Sequence, residues 1–181
     1  MIADFDKDLK FSQEQASQPW WSDVYRQAFP DMVAMTDVRW DTRLQFAGVD
    51  RLIITSAGRV WRIDEKVRRE DYGDILLEFV SNDKTGLPGW AVKDLECDFI
   101  AYAIRPTCRC FLLPIVPLQR AWRLHSAEWL KTYGKKHAKN KGYTTLNCPV
   151  PFIELMRKIS EAMYFCWQEG VNVQEKVNIE D

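Results

Sequence analysis

Residues 48–67, GVDRLIITSAGRVWRIDEKV, constrain the fold more than any other stretch of the chain. LIIT and RVWRI have the alternation and β-branched content of strands, and TSAG between them is turn-forming, so the segment predicts an antiparallel hairpin. A strand sends alternate side chains to opposite faces, which puts Val60, Arg62, Asp64 and Lys66 on one face and Trp61, Ile63, Glu65 and Val67 on the other. With TSAG as the centre, residues whose numbers sum to roughly 113 to 115 face each other across the hairpin. That register sets Asp50 opposite Asp64, and Lys66 follows on the same face, about 7 Å from Asp64 at two residues' rise.

Two carboxylates held together repel unless a cation sits between them or one keeps its proton. An oxygen-rich pair suits a hard divalent ion, Mg²⁺ or Mn²⁺, which makes bound water more acidic and neutralises charge on a phosphate. Lys66 would orient or deprotonate an attacking water, or stabilise a pentacovalent phosphorus as a fixed cation. The plainer alternative is a solvated hairpin in which Asp64 and Lys66 make a weak ion pair. Against it stand the apolar LII before and LLEFV after, which place these strands centrally, where unpaired charges are costly.

The flanking sequence predicts a single α/β domain over residues 1–181, with about 170–181 as a polar tail. Residues 5–28 read as two helical pieces broken near Pro19, and DILLEFVS follows the hairpin as a third strand of a meander. CDFIAYAI and CRCFLLPIV read as further strands, which gives a central mixed sheet of about five. Residues 118–134 form a helix closed by Gly134, KKHAKNKG (135–142) a basic loop, and YTTLNCPV a short strand. PFIELMRKISEAMYFCWQ reads as a helix running from Pro151 to about Gln168.

Composition narrows the function classes. The formal net charge of −1 gives no global attraction to a polyanion, so nucleic-acid contact requires a local patch. The acidic start MIADFDKDLK lacks a signal-peptide pattern and no run is apolar enough to span a bilayer, which predicts an intracellular, cytoplasmic protein without a membrane partner. Five cysteines in such a chain are read as reduced, mostly buried thiols rather than disulfides or a zinc site. There is no phosphate-binding glycine loop, HExxH or nucleophile elbow.

Asp50, thirteen intervening residues and then Asp64-Glu65-Lys66 between strands resemble the D-x(n)-(D/E)-x-K signature of the PD-(D/E)XK nuclease superfamily, the restriction-endonuclease-like fold. The GW at 89–90, CDFIAYAI and KNKGYTTLNCPVPFIELMRKI are similar to strings in small phage- and plasmid-encoded nucleases of that superfamily. The resemblance implies that Asp50 and Asp64 bind Mg²⁺ or Mn²⁺, that the Glu65 backbone carbonyl completes the coordination, and that Lys66 is the catalytic lysine. It also implies an acid on the first helix, for which Glu14 is the best match and Asp23 the alternative. Val49 stands where proline is common, and Val67 and Arg68 where some branches carry glutamine. DNA is then the partner, a homodimer is open because many nucleases pair two sites, and the rival reading is a catalytically inactive nuclease-fold module that binds nucleic acid or a protein.

Further candidates surround this core. Lys135, Lys136, Lys139 and Lys141, with His137, Arg68 and Arg69, are candidate phosphate contacts, and a loop kept polar for solubility is the alternative. Glu78 and Ser81 on the third strand could approach the same site. Trp20, Trp21, Trp40 and Trp90 are candidate base-stacking rings, a role set against core packing.

Overall fold

The computed structural model describes residue 11, residues 14–159 and residues 162–168. Helix α1 (Trp20–Ala28) is followed by β1 (Met32–Asp37), the short α2 (Thr42–Phe46), β2 (Arg51–Thr55), β3 (Val60–Arg68), β4 (Asp74–Asn82), β5 (Leu87–Pro88) and β6 (Phe99–Ile104). After a 3₁₀ turn come β7 (Arg109–Pro114), α3 (Ile115–Tyr133), β8 (Lys136–Lys139), β9 (Thr144–Pro151), α4 (Phe152–Lys158) and β10 (Met163–Cys166). The strands form a mixed six-stranded sheet, ordered β1-β2-β3-β6-β7-β10, and a four-stranded antiparallel sheet, ordered β5-β4-β9-β8.

The hairpin forms in the register its sequence dictates. Arg51 pairs with Ile63 and Leu52 with Arg62, and the turn closes through Thr55 N–H to the Arg59 carbonyl at 3.0 Å. Gly58 takes φ +78, a left-handed conformation that glycine adopts without steric cost. On its other edge β3 runs parallel to β6, whose residues Phe99–Ile104 are all buried, as suits a central strand covered on both sides.

Each face of the larger sheet has its own core. On one, Ile53, Ile63, Ala101 and Leu112 pack against Trp20, Trp21, Val24 and Tyr25, the apolar stripe of α1. On the other, Ile100, Tyr102 and Leu113 meet Leu118 and Trp122 of α3 and Ile75, Leu77 and Val150 of the second sheet. Among the described residues, no helix is long and apolar enough to cross a membrane.

Four expectations are corrected. The single sheet of about five strands is two sheets, of six and four. DILLEFVS does not extend the β2–β3 meander, because β4 crosses to the second sheet and pairs with β9. The basic loop is partly a strand: Lys136–Lys139 pair with Thr144–Asn147, around a turn closed by Asn140 N–H to the Tyr143 carbonyl at 2.9 Å. The last helix ends at Lys158, and Met163–Cys166 add instead to the edge of β7, where Tyr164 packs on Phe111 with ring centroids 5.1 Å apart. The tail expected at about 170–181 lies outside the described residues.

Candidate active site

Asp50 sits one residue before β2, so beyond Ile63 the β2 edge of β3 has no strand partner. The Asp50 side chain fills that gap: its Oδ2 accepts the Glu65 backbone N–H at 2.8 Å. A strand residue points its N–H and C=O to the same edge, so the Glu65 carbonyl also lies on the Asp50 side. Asp50 is further held by its own N–H to the Ile63 carbonyl at 2.8 Å and by Arg39 Nε, 3.5 Å from Oδ1.

Asp64 and Lys66 share the other face of β3 from Glu65. The Asp64 side chain is only 6% exposed and accepts a hydrogen bond from Lys66 Nζ on its Oδ1. Burial pushes the Asp64 carboxyl up to about 7, the Lys66 ammonium opposes this, and the neighbouring Asp50 carboxylate adds to it. Burial alone would lower the Lys66 pKa, but Asp64 and then Asp50 outweigh it and hold the amine protonated well above its ordinary range. With 34% of its side chain exposed, Lys66 is open to solvent.

Glu78 approaches from β4 in the second sheet. Burial raises its pKa, the Lys66 charge opposes that, and Ser81 and the Trp90 backbone N–H hydrogen-bond it. The Gly89-Trp90 pair explains the close approach: a Cβ at position 89 would overlap the Glu78 backbone carbonyl, and Ala91 N–H donates to that same carbonyl at 2.9 Å. Cys97, buried near Asp64, has its thiol pushed up to about 12 by burial and by that carboxylate, so it stays a neutral packing residue.

The Glu65 side chain belongs to a different cluster. It is 1% exposed and accepts from Tyr25 Oη at 2.7 Å, from Arg51 Nε at 2.5 Å and from Arg39 Nη2. Arg51 is itself buried and donates to the Ala16 carbonyl at 2.9 Å, while Arg39 also binds Asp37 at 2.5 Å. Burial and Glu65 together push the Tyr25 hydroxyl above its ordinary range, so it remains a donor. Arg39, Arg51 and Tyr25 are the partners of Glu65 that sequence reasoning missed, and of them Arg39 also reaches Asp50. Arg51 had a signal, since alternation places it inward with Ile53 and on the face of Glu65. Arg39 pairs across 26 residues with no local cue.

The structure thus brings Asp50, Asp64 and Lys66 together and sets Glu78 across from Lys66. Glu14 is exposed, in a helical turn whose neighbours Gln15 and Ala16 contact Trp21 and Arg51 on the Glu65 side of the sheet, and Asp23 is exposed on α1. None of the Asp50, Asp64 and Lys66 interactions above involves either. Of the proposed phosphate contacts, Arg68 is bound to Asp74 at 2.5 Å and Lys136 lies 3.8 Å from the same carboxylate. Lys135, Lys139 and Lys141 are exposed.

Among the described residues, no group of three or more His, Cys, Asp or Glu side chains is arranged to hold a metal ion. Asp50 and Asp64 nevertheless fit one. Two neighbouring carboxylates, with a carbonyl on the Asp50 side, are a donor set for a hard cation that keeps several of its waters. No protein-family model, no curated protein and no solved structure matches the chain.

Proposed function

We propose that the protein is a metal-dependent nuclease that hydrolyses phosphodiester bonds in DNA, built on the restriction-endonuclease-like plan its D-x(n)-D-x-K motif resembles. The observation that carries this reading is the convergence of Asp50, Asp64 and Lys66. The Asp50 carboxylate neighbours Asp64 and helps to raise its pKa, and the Lys66 ammonium donates to Asp64. Asp50, Asp64 and the Glu65 carbonyl would hold Mg²⁺ or Mn²⁺, which when bound supplies a more acidic water and neutralises phosphate charge. Lys66, fixed by Asp64 yet open to solvent, offers a permanent positive charge to the oxygens that gain charge at phosphorus. Its raised pKa suits electrostatic stabilisation better than proton abstraction.

One observation favours the second reading, an inactive module that uses the same residues for binding. Arg39 beside Asp50 and Lys66 on Asp64 already supply two cations to the two acids. The readings separate in a Mg²⁺ or Mn²⁺ titration followed by thermal shift and plasmid cleavage. The nuclease reading expects metal-dependent stabilisation and cleavage. Asp64→Ala and Lys66→Ala should each lower that cleavage by on the order of 10²–10³-fold while the fold is retained. Unchanged cleavage in both variants removes the mechanism, and no cleavage by the wild type leaves the binding module.

A further inference from the structure

Of the four tryptophans offered as stacking rings, Trp20, Trp21 and Trp90 are buried, whereas Trp40 is 79% exposed. Exposure alone means little for a single apolar residue. Trp40, however, is held in place. Its Nε1 donates to the Asp37 carbonyl at 3.1 Å, and the turn that carries it is closed by Arg39 N–H to Asp37 Oδ1 at 3.0 Å and Asp41 N–H to the Val38 carbonyl at 2.9 Å. The turn is tied to the candidate active site, because Val38 N–H donates to the Asp50 carbonyl at 2.9 Å. Trp40 lies two residues beyond Val38, at most about 7 Å of backbone, and the Arg39 between them reaches Asp50.

The same segment carries further aromatic and basic groups. Phe46, at the end of α2, is 72% exposed, Arg43 is exposed, and the Lys93 ammonium donates to the Phe46 carbonyl at 2.7 Å. The acids of the segment are engaged within it: Asp37 takes Arg39, and Asp41 caps α2 by accepting the Arg43 and Leu44 N–H groups. What remains is an exposed, hydrogen-bonded aromatic ring on the same segment as exposed Arg43 and Phe46, and aromatic faces with basic residues bind bases by stacking and backbones by charge. Bases inside a duplex are already stacked on one another, so a free face requires an unpaired nucleotide.

We propose that Trp40 is a stacking platform for an unpaired base next to Asp50, which makes the preferred substrate single-stranded or flapped DNA rather than fully paired duplex. The preference in cleavage rests on the nuclease reading; the stacking itself does not. The test measures binding of a labelled oligothymidine and of a blunt duplex in EDTA, together with Mg²⁺-dependent cleavage of both, for the wild type, Trp40→Ala and Trp40→Phe. Trp40→Ala should weaken single-strand binding about tenfold, leave duplex binding unchanged and erase the cleavage preference, while Trp40→Phe retains most of both. Equal single-strand affinity in Trp40→Ala and wild type overturns the proposal, as does an equal loss on the duplex. It is also overturned if Trp40→Ala abolishes a wild-type dimer in sedimentation, which would mark the ring as a contact between copies. Should the wild type bind through Trp40 but cleave nothing, the nuclease reading fails and the platform stands; Asp64-dependent cleavage with Trp40-independent binding has the reverse meaning.

Discussion

The two faces of β3 carry acids in opposite conditions. Glu65 is buried with two guanidinium groups and a hydroxyl around its carboxylate, a cluster closed within the fold. One residue before it, Asp64 has a single ammonium partner and a neighbouring carboxylate that repels it, and it holds its proton up to about pH 7. Adjacent residues of one strand thus serve different ends. The Glu65 face ties α1 and the turn after β1 to the sheet, while the Asp64 face has one ammonium shared among Asp64, Asp50 and Glu78. Strong burial of an acid does not mark a site; incomplete compensation does.

The contrast breaks first if Glu65 is not an anchor. Glu65→Ala leaves Arg51 buried without its main partner and should cost about 3–5 kcal/mol in denaturant unfolding, whereas Asp64→Ala should leave stability nearly intact. Comparable losses in the two variants would erase the distinction. Gly89→Ala comes next. Its Cβ overlaps the Glu78 carbonyl, so it should cost about 1–3 kcal/mol and lower metal-dependent cleavage several-fold by displacing Glu78 from Lys66.

The pH dependence sharpens the comparison further. Because the folded chain holds the Asp64 proton up to about 7 rather than the ordinary 3.8, the native state binds that proton more tightly than the unfolded chain does. The stability Asp64 confers when protonated is therefore present below pH 3.8 and lost as pH rises through 7. Mg²⁺ should restore it, so the thermal shift produced by the ion should be larger above pH 7 than below. A shift independent of pH would place the ion elsewhere. The smallest effect belongs to the exposed lysines of the β8–β9 hairpin. Lys139→Ala with Lys141→Ala should weaken DNA binding a few-fold and reduce the salt slope by about one per lysine.

What could be read from the sequence was local. The β2–β3 hairpin and its register followed from alternation about a glycine-containing turn, and with them the placement of Asp50 beside Asp64. The fate of β4 was not legible, because a strand's alternation says which face is apolar and not which sheet will take it. MYFC in 163–166 fitted a helix as well as a strand, since four residues are too few for their period to choose; the free edge of β7 decided. The Glu65 cluster was half legible. Arg51 lies at an inward position of the same hairpin, while Arg39 arrives from a turn that the sequence does not connect to it.

The hydrogen bond from the Glu65 amide to the Asp50 carboxylate has a mechanical consequence. It joins both acids and Lys66 to the backbone of one hairpin, so their mutual spacing is set within that hairpin. Glu78 rides on the other sheet and meets the trio only through the Lys66 charge in the contacts described above. Any sliding of one sheet over the other would therefore be felt at the gap between Lys66 and Glu78, with the acid pair undisturbed.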